Sequence, residues 1–213
     1  MSYILPRFYP ILDTQAAERA GLPLVDAAKA ILAAGSKILQ LRHKDHFNRQ
    51  LFAAAREIGE ACRDNGAVFI VNDRADMAVL LDAALHVGQD DLPAADARAL
   101  MGPQRLLGLS THNEAQLLAS NAEPVDYIAI GPMFETGSKR NPDPVVGIQE
   151  FARLRPRTGR LVVAIGGITR TNCGSVLAAG ADSVAVINDL LPAGCNRDSL
   201  RSRTEEWLRA VND

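Results

Sequence analysis

Short apolar runs alternate with longer amphipathic segments from one end of the chain to the other. Eight runs read as strands: FYPILD (8–13), KILQLRH (37–43), VFIVND (68–73), ALHVG (84–88), LLGLST (106–111), YIAIG (127–131), LVVAIGG (161–167) and SVAVIN (183–188). Each is too short for a helix, most are rich in β-branched residues, and most end in Gly, Asp, Asn, Ser or Thr, as buried parallel strands do. The segments between them, such as LVDAAKAILAAG, FNRQLFAAAREIGEACRDNG, PAADARALMG, NEAQLLAS and TNCGSVLAAG, repeat Ala and Leu at i, i+3 and i+4, with Gly near several C-termini. That is the pattern of crossover helices.

Strand and helix alternating eight times imply parallel strands with right-handed crossovers, and eight units match closure into a barrel better than an open sheet. The expected class is α/β, a single-domain (β/α)8 TIM barrel over residues 1–213, long enough for one domain to bury a full core. One connection departs from the pattern. GPMFETGSKRNPDPVVG (131–147) holds three Pro and three Gly, lacks helical periodicity, and reads as a long loop of the kind that forms lids or ligand clamps.

Composition narrows the partners more than the fold. Hydrophobic residues make up 47% and charged residues 23%, with a formal net charge of −2 and the basic residues spread out, so no broad footprint exists for nucleic acid or anionic lipid. Any anion site must be local. Cys62, Cys173 and Cys195 are odd in number and lack metal-ligand spacing, which suits free thiols in a reducing compartment. No stretch has signal-peptide or membrane-spanning character, so the expected location is the cytoplasm, with a homo-oligomer left open.

In this fold the chemistry sits at the C-terminal ends of the strands, and the polar residues there converge. Alternation along the second strand puts Gln40, Arg42 and Lys44 on the barrel side, and two cations with an amide donor match a phosphate or diphosphate. The competing reading pairs Arg42 and Lys44 with Asp73 and Asp91 in a structural ion-pair layer. Asp73 and Asp91 end adjacent strands, where both carboxylates could approach one Mg²⁺, or each could merely cap the helix that follows. Gly166 and Gly167 would let the backbone approach a phosphate and lead towards a helix N-terminus. His43 and His112 could serve as acid–base groups, His86 reads as structural, and Cys173 lacks the partner an activated thiol needs.

With QLRHK (40–44), VNDRADMA (71–78), HVGQDDLP (86–93), GLSTHN (108–113), GPMFETGSK (131–139), VVAIGGI (162–168) and DSVAVIN (182–188) in this order, the chain resembles the thiamine-phosphate synthase family over most of its length. The resemblance implies a transferase that joins 4-amino-5-hydroxymethyl-2-methylpyrimidine diphosphate to 4-methyl-5-hydroxyethylthiazole phosphate or its carboxylated form. Thiamine phosphate and diphosphate result, by a Mg²⁺-assisted dissociative substitution. Carried over position by position, Gln40, Arg42, Lys44, Asn72, Ser110 and Lys139 would hold the pyrimidine diphosphate, with Arg42, Lys44 and Lys139 catalytic. Asp73 and Asp91 would bind Mg²⁺, and Thr136, Gly137, Ser138, Gly167, Ile187 and Asn188 would surround the thiazole phosphate.

Two positions depart from the family pattern: His43 stands where Glu is usual, and Asn188 where Ser is usual. Two other readings stay open. One is a relative resembling the thiazole tautomerases, which would use a His near position 112 and dispense with the carboxylate pair. The other is a non-catalytic barrel that binds a phosphorylated ligand.

Overall fold

The computed structural model describes residues 4–136 and 143–212. Eight parallel strands close in chain order: β1 (Phe8–Asp13), β2 (Ile38–Arg42), β3 (Val68–Asn72), β4 (Ala84–Val87), β5 (Leu107–Thr111), β6 (Tyr127–Ile130), β7 (Leu161–Ile165) and β8 (Ser183–Val186). The ring shuts where β1 pairs with β8, Phe8 opposite Val184. The expected (β/α)8 barrel therefore forms from the eight apolar runs, several strands ending one or two residues before the polar tails that follow them.

The crossovers are α2 (Leu24–Ala33), α3 (Arg49–Asp64), α4 (Ala75–Leu80), α5 (Ala94–Met101), α6 (Glu114–Ser120), α7 (Gly147–Leu154) and α8 (Cys173–Ala178), flanked by α1 (Thr14–Ala20) after β1 and α9 (Arg197–Ala210) at the end. Side-chain oxygens of Asp13, Asn48, Asn113 and Asn196 accept the orphan N–H groups at the starts of α1, α3, α6 and α9. Phe8, pointing outward from β1, stacks on Trp207 of α9 at 5.3 Å, so the last helix seals the first strand.

Two apolar layers follow from period-two alternation in strands buried on both faces. Leu12, Leu39, Leu41, Val71 and Ile128 pack outward against the helices. Tyr9, Ile11, Ile38, Ile70, Tyr127, Ala129, Val163 and Ala185 fill the barrel interior. Tyr127 fits only because β5 has glycine beside it: a Cβ at Gly108 would stand 2.1 Å from the Tyr127 ring. Above this floor the interior positions turn polar, with Gln40 and Arg42 following Ile38 on β2.

The loop after β6 folds back over β7. Met133 and Phe134 N–H donate to Ile165 and Gly166 carbonyls at 2.9 and 3.0 Å, and Val146 N–H closes the loop base on Pro132 O at 2.8 Å. This contact explains Gly166 and Gly167. Both have left-handed backbones, with φ of 98° and 65°, and a Cβ on either would lie 2.6 Å from Pro132 or Glu135. The glycines are needed first for loop packing, and the helix they lead towards, α8, begins at Cys173.

Candidate active site

A cavity of about 830 Å³ opens at the C-terminal rim of the barrel. Gln40, Arg42, Lys44, Asn72, Asp73, Asp91, Ser110, Thr136, Gly167, Ile187 and Asn188 all line it. Gly137, Ser138 and Lys139 lie outside the described residues. Residues from six strand ends and the β6 loop thus meet in one place, which is what the barrel topology does with strand-terminal side chains.

Both rim cations carry carboxylate partners. Lys44 Nζ donates to Asp73 Oδ2 at 2.5 Å, realising half of the ion-pair reading. Arg42 pairs with a residue that reading did not include: Asp13, opposite it in the β1–β2 register, accepts from Arg42 Nη1 while its other oxygen caps α1 through Ala16 N–H at 2.9 Å. The signal was present in the sequence, because Asp13 ends the first apolar run as Asp73 ends the third.

The carboxylate pair does not serve as helix caps. The residue preceding α4 is Arg74 and that preceding α5 is Pro93, and neither helix has a side-chain cap. Asp91 Oδ2 instead accepts from Gly88 N–H at 2.8 Å, within its own loop. Asp73 holds a left-handed backbone with φ 64°, an uncommon state for a non-glycine residue and one that clusters at functional sites. Burial first, and a hydrogen bond with Asp91 second, push the Asp73 carboxyl up to about 6 despite Lys44. Two carboxylates close enough to share a proton form a site that a hard cation would satisfy.

Below the rim runs a hydrogen-bond chain that sequence reading did not find. Gln40 Nε2 donates to Tyr9 Oη at 2.7 Å, Tyr9 Oη meets Tyr127 Oη at 2.8 Å, His86 Nδ1 meets Tyr127 Oη at 2.9 Å, and His86 Nε2 meets Ser110 Oγ at 2.9 Å. Burial pushes His86 down to about 4. Beside this chain the Asn72 Nδ2 group is buried without a hydrogen-bond partner and lines the cavity, a donor whose desolvation a ligand acceptor would offset.

The two proposed acid–base histidines separate. His43 does not line the cavity: its Nδ1 meets Thr14 Oγ1 at 2.9 Å and its Nε2 donates to His46 O at 3.2 Å, because odd positions past β2 face away from the interior. His112 does line it, with Nδ1 2.8 Å from Gly131 O and 3.5 Å from Asp143 Oδ2. A carbonyl only accepts, so Nδ1 carries the proton. The thiols are buried, with Cys62 pushed up to about 12 and Cys173 also raised by desolvation, as expected of inert cysteines.

A closed (β/α)8 barrel whose rim gathers two cations, a carboxylate pair and an unsatisfied amide donor belongs to the class of barrel enzymes that act on small anionic substrates. The chain belongs to the thiamine monophosphate synthase family, whose family model matches residues 8–190. It is 47% identical to the thiamine-phosphate synthase of Koribacter versatilis (strain Ellin345) over 211 residues, 98% of this chain and 97% of that protein. The thiamine-phosphate synthase of Myxococcus xanthus (strain DK1622) is 42% identical over 187 residues, covering 87% and 86%. The solved thiamine phosphate pyrophosphorylase from Pyrococcus furiosus superposes with a TM-score of 0.83 at 27% identity, covering 97% of this chain and 95% of that one. Among the described residues no helix is long and apolar enough to cross a membrane.

Proposed function

We propose that this protein is a thiamine-phosphate synthase, a transferase that joins 4-amino-5-hydroxymethyl-2-methylpyrimidine diphosphate to 4-methyl-5-hydroxyethylthiazole phosphate, with residues 1–213 acting as one catalytic domain in the cytoplasm. The observation that carries the reading is the coincidence, in one cavity, of the carboxylate pair Asp73 and Asp91 with Arg42, Lys44 and the orphan Asn72 amide. A tautomerase-like or non-catalytic barrel would have no use for the carboxylate pair.

The bond between the pyrimidine methylene and the diphosphate oxygen breaks, its electron pair leaving with diphosphate. The thiazole nitrogen lone pair then forms the new C–N bond to the methylene cation. The main demand is therefore stabilisation of negative charge growing on diphosphate by groups already in position. Arg42, Lys44 and Lys139 supply cationic donors, while Gln40, Asn72 and Ser110 orient the pyrimidine. Thr136, Gly137, Ser138, Gly167, Ile187 and Asn188 surround the thiazole phosphate, Asn188 donating through its amide where the family usually has a hydroxyl. Asp73 and Asp91 would hold Mg²⁺, which when bound supplies charge compensation to diphosphate oxygens. Lys44, paired with Asp73 here, would be the donor free to reach the diphosphate when the carboxylate pair holds the metal.

The test mixes the protein with both substrates, with and without Mg²⁺, and follows thiamine phosphate as fluorescent thiochrome phosphate. Mg²⁺-dependent product that Asp73→Ala abolishes is expected. No product from the folded protein under any condition would sink the reading.

A further inference from the structure

His86 is the one member of the interior hydrogen-bond chain with both ring nitrogens engaged by hydroxyl groups, Tyr127 Oη on Nδ1 and Ser110 Oγ on Nε2, each at 2.9 Å. Its ring also stacks on that of Tyr127, with centroids 5.5 Å apart, inside the barrel. No carboxylate forms an ion pair with it among the described residues, and an uncompensated buried imidazolium would be costly. A neutral imidazole has one N–H donor and one bare acceptor nitrogen. The two hydroxyls therefore cannot make the same kind of bond to His86: one donates to the ring and the other accepts from it.

The chemistry of the two hydroxyls decides which is which. A phenol is far more acidic than an alkyl alcohol and so is the stronger donor, whereas the serine oxygen is the better acceptor. Tyr127 O–H then donates to Nδ1, and Nε2–H donates to Ser110 Oγ. An oxygen held in this way must aim its own proton elsewhere. Ser110 lines the cavity, and its backbone is pinned there by Gln89 Nε2, which donates to Ser110 O at 2.6 Å.

We propose that His86 is a positioning residue: as its Nε2–H tautomer it fixes Ser110 as a hydrogen-bond donor facing the cavity, so that this corner of the site reads an acceptor atom of the pyrimidine substrate. The assignment rests on the proposed synthase activity for the identity of that ligand, but not for the tautomer. The resemblance assigned a role to Ser110 and none to His86, whose strand neighbours Leu85 and Val87 make it look like part of the core.

Two measurements test it on the full chain. Long-range ¹⁵N–¹H NMR of the four histidines, with His86 assigned by its loss in His86→Gln, reports the tautomer directly and needs no turnover. A protonated Nε2 and bare Nδ1 are expected, and a protonated Nδ1 would overturn the proposal, because Ser110 would then be the donor to the ring. Steady-state kinetics supply the second readout. His86→Leu should raise KM for the pyrimidine diphosphate by about tenfold, the worth of one hydrogen bond, with KM for the thiazole phosphate unchanged. His86→Gln, whose amide reaches the Nε2 position, should recover most of that loss. Equal defects in both variants, or a rise in both KM values, would assign His86 a merely structural role. If the wild-type chain makes no thiamine phosphate, the synthase reading fails while the NMR result still decides the tautomer; if His86→Leu does not fold, His86→Gln and the NMR spectrum still decide the proposal.

Discussion

Asp13 holds Arg42 from behind: the two are opposite each other in the β1–β2 ladder, and the carboxylate divides its oxygens between the guanidinium and the first turn of α1. Arg42 lines the cavity and Asp13 does not, so the acid sets where the cation stands without meeting the ligand. Replacing Asp13 by Ala strips a nearly buried Arg of its partner and removes a helix cap. Urea unfolding should register a loss of about 3 kcal/mol or more, most of it from the stranded charge. Asp13→Asn keeps the cap and loses the charge, and should raise KM for the pyrimidine diphosphate while costing less stability.

The carboxylate pair should be separable from the fold. Asp73→Asn retains a residue that tolerates the left-handed backbone at this position, since Asn shares that tolerance with Asp. Thermal unfolding of the metal-free variant should match or exceed wild type, because a carboxylate disfavoured by burial and by Asp91 is gone, while the half-exposed Lys44 pair lost with it contributes little. Calorimetric titration with Mg²⁺ in the presence of diphosphate should show binding weakened by about 100-fold or more. Retained Mg²⁺ affinity would remove Asp73 from the metal site.

Gly108 should tolerate no side chain. A methyl group there would occupy the space of the Tyr127 ring, so Gly108→Ala must displace the tyrosine and with it the contact to His86. Overpacking of this kind costs about 3 kcal/mol. The double variant Gly108→Ala with Tyr127→Leu should recover part of the stability, and denaturant midpoints would show it.

Acid should weaken the fold through His86. Its folded value, lowered to about 4 by burial, lies below the ordinary 6.5, so below about pH 6.5 the unfolded chain takes up a proton that the folded one refuses. Stability is full above pH 6.5 and falls as pH drops towards 4. By pH 4 this one group should account for about 3 kcal/mol. The difference between wild type and His86→Gln, measured by urea unfolding at pH 7 and pH 4, isolates it from the carboxylates that titrate in the same range.

The barrel was legible because each strand is buried on both faces, which leaves uninterrupted apolar runs, and because helices between them repeat at a different period. What stayed hidden depended on pairing across the barrel. Tyr9 and Tyr127 read as ordinary core aromatics, and only closure of the ring brings β1 and β6 near enough for their hydroxyls to meet. Asp13 looked like a strand terminus until register set it beside Arg42. The loop after β6 masked α7, since Gly147 sits at the seam between the proline-rich run and the helix. His43 and Lys44 are adjacent in sequence, yet one faces Thr14 and the other the cavity, a consequence of alternation that continues just past the strand.

The bond from Val146 N–H to Pro132 O ties the two ends of the β6 connection to each other beside the barrel rim. With its first residues bonded to Ile165 and Gly166 and its ends joined, the connection can lengthen beyond Thr136 at little cost, because closure entropy grows only slowly with length. A barrel built this way can exchange the reach and chemistry of its loop as a unit, so chains with the same frame can diverge in what they clamp while inheriting an unaltered floor.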